Sequence, residues 1–449
     1  MPGIALGRYY DDATARGGEK IVYEGERHLL MFGPNGSGKG TRFLIPNLLS
    51  IADRSIVVID PKGELCAVTA DYRRTVGDVV ILNPFDVLGL GSDGFNPLAA
   101  LDPDSPNFYD DAAGLGEALI QVEGSEPHWS QSAQGLLVAL LMWERQQRGP
   151  LANLEHVRYL LTEPDEWEDY TGEDGKPHSK LVNGLRNTAT DMVAKGGYII
   201  ESLAARFTRE TNEISSIRST GDTQTRWILS LPMRVDLKKQ GVDFRRLKDK
   251  PTTVYVILPA ERMRTHAVWL RLVVTAALRA LYRPGGLRTL FMIDEMPALG
   301  HLGPLEDAFG LVRGYKVQIA GICQDLAQLK ALYRERWESF LANAGVIQAF
   351  APNDLTTADW LSKRAGQKTV IATAGSESHG AQHNRQNETA SWSQVGRPLY
   401  PPDELMGLAE GTGLLFLAGM SHGVRFFAPP YWKIEQAEKR AAKNPYYEG

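Results

Sequence analysis

The stretch Gly33-Pro34-Asn35-Gly36-Ser37-Gly38-Lys39-Gly40-Thr41 follows the apolar run Leu29-Leu30-Met31-Phe32 and precedes a helix-like segment over residues 41–49. Strand, glycine-rich turn and helix form the context in which a G-x-x-x-x-G-K sequence binds phosphate. The glycines let backbone N–H groups wrap a polyphosphate, and the helix N-terminus adds partial positive charge. Lys39 is expected to reach the outer phosphates as a compact cation. Residues 33–41 (Gly33, Pro34, Asn35, Gly36, Ser37, Gly38, Lys39, Gly40 and Thr41) are therefore the expected nucleotide contacts. One position departs from the usual pattern. Where Ser or Thr normally follows the lysine as a magnesium ligand, this chain has Gly40, and the hydroxyl arrives one residue later at Thr41.

The loop needs a second half, and Leu290-Phe291-Met292-Ile293-Asp294-Glu295 supplies the pattern for it. Four apolar residues ending in two acids form a Walker B arrangement, in which a buried strand delivers carboxylates beside the phosphates. Asp294 is expected to hold the magnesium shell, and Glu295 to orient and deprotonate the attacking water. A strand ending in solvated acids is the plain alternative, and the upstream loop weighs against it. Gln324 closes the apolar run 318–323, where a glutamine can hydrogen-bond the γ-phosphate or the water; a simple polar strand end is its alternative. Arg313 lies between the two and is a candidate arginine finger acting on a neighbouring subunit's ATP, against the alternative of an exposed helix arginine. Asp60, at the end of Ser55-Ile56-Val57-Val58-Ile59, clusters with Lys62 and Glu64. This cluster supports magnesium and phosphate, or it is a turn with a capped helix after it; the residue types do not separate the two.

Strands at residues 55–60, 78–82, 252–258, 289–293, 318–322, 346–350 and 413–417, separated by helices, predict a doubly wound α/β sheet with ligands at the carboxyl ends of its strands. Between residues 104 and 243 helical periodicity replaces strand signal, most clearly at 113–121, 132–148, 151–161 and 181–194. The expected organisation is a nucleotide-binding domain in two parts, residues 1–103 and 245–449, around an inserted all-α domain over 104–244. The polar tract 371–395 is expected to be a mobile loop, and the charged end 433–448 to fray.

At 449 residues, with 43% hydrophobic and 23% charged residues, the chain fits a soluble protein of about two domains. A net charge of −5 argues against a wholesale basic coat for nucleic acid and leaves room for a local basic channel. Candidates for such a channel are Arg206, Arg209 and Arg218, and then Arg245, Arg246, Lys248 and Lys250; a solvated charged face is the alternative for each cluster. Two cysteines, Cys66 and Cys323, make no disulfide framework and point to a reducing compartment. No stretch reaches the roughly 18 apolar residues of a membrane span, and the N-terminus has no signal-peptide pattern. The histidines show no metal-site spacing. Ser219-Thr220-Gly221-Asp222 looks like a nucleotide-kinase substrate motif, but it lies far from the loop, and a small kinase has no separate Asp294-Glu295 strand.

Taken in order, the motifs resemble the cytosolic part of type IV secretion coupling proteins, the TraG-like conjugative ATPases, which share the G-P-x-x-S-G-K-G loop. The matching pieces are Gly33 to Gly40 with Arg42 and Ile45-Pro46, Val58-Ile59-Asp60-Pro61-Lys62-Gly63-Glu64, and Phe95-Asn96-Pro97-Leu98. Further on come Ile293-Asp294-Glu295-Met296-Pro297-Ala298-Leu299-Gly300, Gln324 with Gln328-Leu329, Asn343-Ala344-Gly345, and Arg397-Pro398-Leu399 before Pro402-Asp403-Glu404-Leu405. The resemblance implies a RecA-like P-loop NTPase domain interrupted by an all-α domain, a homo-hexameric ring, and ATP and Mg2+ as cofactors. It implies ATP hydrolysis coupled to delivery of DNA–relaxase complexes or secreted effector proteins to a secretion channel. The implied partners are DNA, the channel's other ATPases and inner-membrane components. It also supports Arg313 and Gln324 as trans-acting arginine and sensor. Family members begin with transmembrane helices; this chain shows none, so it is expected in the cytoplasm, at the inner face of the inner membrane through partners or a missing anchor. Two rivals share the site pattern: a soluble FtsK- or HerA-type DNA translocase, and a nucleotide-binding substrate receptor with little turnover.

Overall fold

The computed structural model describes residues 3–11, 16–122, 127–182, 184–209, 211–377 and 388–447. In chain order the first strands are β1 (Ile4–Asp11), β2 (Arg16–Tyr23), β3 (His28–Phe32), β4 (Ser55–Ile59), β5 (Asp78–Leu82), β6 (Glu166–Thr171), β7 (Pro177–Val182) and β8 (Thr252–Val256). They continue with β9 (Thr289–Ile293), β10 (Val317–Cys323), β11 (Ala344–Phe350), β12 (Gln367–Glu377), β13 (Glu388–Pro398), β14 (Thr412–Leu417) and β15 (Val424–Phe427). The chain divides into two compact units, Met1–Ile51 with Ala320–Lys439, and Ala52–Ile319 with Arg440–Gly449.

In the first unit the strand order is β2-β1-β15-β14-β11-β3-β10. β3 pairs in parallel with β10 on one side and β11 on the other, whereas β11, β14, β15, β1 and β2 pair antiparallel in succession. Every residue of β3 is buried, as expected of a parallel strand covered on both faces.

In the second unit the order is β9-β4-β8-β5, all parallel. β4, β8 and β9 are buried along their whole length and read as runs of apolar and β-branched residues, with Ser55, Thr252, Thr253, Tyr255 and Thr289 carrying their hydroxyls. Between Phe108 and Asp236 the chain is mostly helical, built around the helix Pro127–Arg148 with Leu136 to Met142 in its core. One ribbon interrupts the helices: β6 pairs with β7 around a turn in which Gly175 takes φ +73°. The expectation of an all-α segment with little strand signal does not include it, although Asp174-Gly175 is a hairpin turn signal.

Two further expectations are corrected. The polar tract is not a structureless loop: β12 and β13 pair antiparallel from Gln367↔Pro398 to Glu377↔Glu388, and residues 378–387 lie outside the described residues. Composition predicts what cannot form a core, but a ribbon needs no core to pair its own backbone groups, and the β-branched Thr369, Val370 and Ile371 favour it. The charged end is also held. After the helix Glu435–Arg440, Ala442 N–H donates to Val68 O (2.9 Å), Asn444 Nδ2 to Glu64 Oε1 (2.8 Å) and Tyr446 Oη to Lys62 O (2.9 Å). Cys66 and Cys323 are buried free thiols, and burial pushes Cys66 up to about 12. Among the described residues no helix is long and apolar enough to cross a membrane.

Candidate nucleotide site

The buried strand β3 delivers the loop at its carboxyl end. Gly33 N–H donates to Cys323 O (3.1 Å), extending the β3–β10 ladder by one rung, and Ser37 N–H closes a turn onto Pro34 O (3.1 Å). Gly36 and Gly38 take φ +81° and +84°, the left-handed region that favours glycine. Lys39 Nζ donates to Gly33 O (2.6 Å), folding its stem across the loop. Ser37 Oγ is buried without a partner.

The turn after the lysine is wound wide. Gly40–Leu44 forms a π-turn in which Ile45 N–H reaches Gly40 O, and an α-helical turn, Ile45–Leu48, follows with Pro46 in its first positions. Insertions of this kind recur at functional sites. Thr41, 6% exposed, directs its hydroxyl to Gly38 O at 3.4 Å. A Cβ placed on Gly40 would meet nothing within 4 Å. The segment is anchored at both ends. Asn47, fully buried, exchanges hydrogen bonds with Ala5 N–H and Ala5 O (2.8 and 2.9 Å) on β1. Arg42 donates to Ala428 O (2.7 Å) and pairs with Glu410. Sequence reading marks Arg42 only as part of a motif, and its partners lie 386 and 368 residues further along the chain, with no local signal to reveal them.

Gln324, half-buried, follows β10 directly, so the Gly33–Cys323 rung sets it beside the loop. Its N–H donates to Gln328 Oε1 (3.2 Å), and Asp325 caps the next helix by accepting from Gln328 N–H (2.8 Å).

In the second unit, the β4–β9 register sets Ile59 opposite Ile293, so Asp60 and Asp294 leave adjacent strand ends together. Asp60 is 1% exposed and accepts from Cys66 N–H (2.9 Å), so from before the Gly63 N-cap its carboxylate satisfies a first-turn donor of the helix Glu64–Val76. Burial raises its carboxyl to about 7, against the lowering effect of the Cys66 hydrogen bond and with a further rise from the Asp294 charge. Glu295 is half-buried and begins the short 3-10 turn Met296–Leu299. Arg313 lies in the 3-10 turn Val312–Tyr315, and its side chain is outside the described residues.

These residues fit a nucleoside triphosphate. The loop offers glycine-oriented N–H groups, an ammonium and an unpartnered buried hydroxyl; within the second unit, the Asp294 charge raises the proton affinity of Asp60. Among the described residues no group of three or more His, Cys, Asp or Glu could hold a metal ion. A magnesium ion here would share its shell with phosphate and water, as this ion usually does.

Most of the basic residues singled out in the sequence are engaged by neighbouring groups. Arg218 donates to Leu161 O (3.0 Å) and Glu163 O (2.6 Å), Arg206 pairs with Glu213 (2.7 Å) and Arg245 with Asp243 (2.9 Å). Lys248 is buried and donates to Tyr315 O, and Lys250 pairs with Asp78.

The class these elements define is an α/β, RecA-like P-loop fold carrying an inserted helical segment. The fold is that of the plasmid conjugative coupling protein TrwB. The sulphate complex of TrwBdeltaN70 superimposes with TM-score 0.68 at 16% identity, covering 96% of this chain and 95% of that one. The TrwB complex with the non-hydrolysable ATP analogue ADPNP gives 0.67 at 16% identity, with the same coverage. Residues 6–446 match the family described as Type IV secretory system Conjugative DNA transfer, and the chain belongs to it. The conjugal transfer protein TraG of Escherichia coli is 28% identical over 421 residues, 86% of this chain and 62% of TraG. This chain thus spans about six-tenths of the length of that relative.

Proposed function

We propose that this chain is an ATP-hydrolysing coupling protein, which recruits DNA–relaxase complexes or secreted effector proteins and helps drive them into a type IV secretion channel. In this reading the loop residues 33–41 bind the triphosphate, with Lys39 on its outer oxygens. Thr41 and Asp294 hold Mg2+, which when bound neutralises the charge between the β- and γ-phosphates. Glu295 takes the proton from the attacking water, Gln324 orients the γ-phosphate end, and Arg313 serves a neighbouring copy in a homo-hexamer. Asp60 holds the second-unit helix by its cap and supports the cation electrostatically. Contact with the channel's other ATPases and inner-membrane components sets the protein at the cytoplasmic face.

The loop geometry carries this reading: two glycines at positive φ, the Lys39 ammonium and the partnerless Ser37 hydroxyl all belong to the nine residues that suit a polyphosphate. Family membership supports the coupling to DNA transfer, and the ADPNP named in the TrwB complex supports the choice of nucleotide. Steady-state ATPase of the wild type and Lys39→Ala, with and without single-stranded DNA, on material sized by light scattering, is the test. Loss of turnover in a folded Lys39→Ala variant is expected. Wild-type hydrolysis by that variant refutes the reading.

A further inference from the structure

A cavity of about 600 Å³ opens in the second unit between the turn Arg226–Leu229 and the helix Ala260–Leu281, and none of the candidate nucleotide residues lines it. Its lining includes Gln121, Arg226, Trp227, Arg264, His266 and Arg271, and no acidic residue. Three guanidiniums around one cavity stand out in a chain of net charge −5.

The arginines differ in how they are held. Arg271 is 5% exposed, so its charge is part of the wall. Arg226 is anchored to Asp222 (2.9 Å), but Asp222 also receives Arg158, so one carboxylate is divided between two guanidiniums. Arg264 is exposed and forms no ion pair among the described residues. Two of the lining residues each carry a buried nitrogen without a partner: Trp227 (6% exposed) at Nε1 and His266 (7% exposed) at Nε2. His266 is tethered through Nδ1 to Thr265 Oγ1 (2.8 Å) and meets the edge of Phe85, so the ring orientation is set. Buried nitrogens with no partner are rare in folded proteins and call for a ligand, water or ion. Positive charge with no acid in the wall selects an oxyanion, and guanidinium geometry suits a phosphoryl group.

We propose that this cavity binds a phosphoryl oxyanion, with the phosphodiester of single-stranded nucleic acid as its source. The inference rests on the proposed function, to which it adds a contact for the transferred strand outside the ATP site. Arg264, unpaired at the rim, meets the phosphate first; Arg226 and Arg271 set the field behind it.

The full-length chain is titrated with a fluorescein-labelled single-stranded oligonucleotide by anisotropy across a salt series, and with inorganic pyrophosphate by calorimetry. Arg264→Glu is expected to weaken oligonucleotide binding at least about tenfold. The slope of log K against log salt should fall by about 0.7, the share of a single phosphate on a single strand, while a fluorescent ATP analogue still binds as in the wild type. Lys39→Ala is expected to show the converse, so failure of the ATP reading and failure of this site are separable. Weakened pyrophosphate binding with unchanged oligonucleotide binding overturns the assignment to a strand. Unchanged affinity for both overturns the site.

Discussion

Two glycines two residues apart in the phosphate loop should respond in opposite ways to the same added methyl. Gly38 sits at φ +84°, and a Cβ there would lie 2.6 Å from Arg42 Nε and 2.7 Å from Arg42 Cδ. Gly38→Ala therefore meets left-handed backbone strain of about 1–2 kcal/mol. It also displaces the Arg42 side chain from Ala428 O, a hydrogen bond from a charged donor worth about 1.5–3 kcal/mol. The Arg42–Glu410 pair adds little, because Glu410 is 75% exposed and well screened. The total is about 2.5–5 kcal/mol. At Gly40 the same methyl meets nothing, and Gly40→Ala should be neutral or stabilise by about 0.4–1 kcal/mol through the unfolded chain. Chemical denaturation and titration with a fluorescent ATP analogue test both variants. Gly38→Ala should lower the unfolding midpoint of the first unit. Its nucleotide affinity should drop about a hundredfold, taking about 3 kcal/mol as the cost of restoring the loop. Equal behaviour of the two variants would refute the reasoning.

Two other outcomes follow from groups outside the loop. Burial raises the Asp236 carboxyl above the ordinary carboxylate range despite a 2.6 Å hydrogen bond from Ser92 Oγ, and its Oδ2 has no partner. The folded state thus holds this proton to higher pH than the unfolded chain does. The penalty for ionising Asp236 grows as pH rises through that interval and is complete above it. Asp236→Asn should accordingly stabilise the second unit at about pH 8, with the gain shrinking as pH falls toward about 4, measured as paired urea midpoints; a gain independent of pH would contradict the assignment. Deleting residues 441–447 removes three hydrogen bonds to Val68, Glu64 and Lys62, a cost of about 2–3 kcal/mol. Faster hydrogen exchange in the helix Glu64–Val76 is the expected readout, and unchanged protection there would show that the tail holds nothing.

The parts of the fold that can be read from the sequence share one property: their signal is local. β3, β4, β8 and β9 announce themselves because strands buried on both faces are built largely of apolar, β-branched and aromatic residues. β1, β2 and β15 escape such a reading because they are only partly buried, and the pairing that joins β1 to β15 is remote, as in Arg8↔Phe427. The tail is misjudged for the same reason. A charged composition states that a segment cannot build a core; it does not say whether Asn444 has Glu64 to bond, 380 residues away. Polar hydrogen bonds of this kind leave no periodicity behind.

The site divides along the same line. Residue spacing alone marks Gly33 to Thr41 and Asp294-Glu295, because a turn around phosphate and a strand ending in acids are each short-range constructions. What the spacing cannot show is how each side chain is occupied. For Asp60 the residue types leave two roles level, and the structure finds its carboxylate on Cys66 N–H while the Asp294 charge raises its proton affinity. Capping and cation support are therefore compatible in one group. Thr41 is the sharper case. A π-turn adds one residue to the first helical turn, so a hydroxyl one position late in sequence need not be one position late in space. Its bond to Gly38 O, at 3.4 Å, is near the outer limit of a hydrogen bond and is weak enough to exchange for a better partner. The open space at Gly40 shows that the glycine is not required by packing. The departure at position 40 is thus a feature of how this helix starts, and a Cβ there meets no steric obstacle.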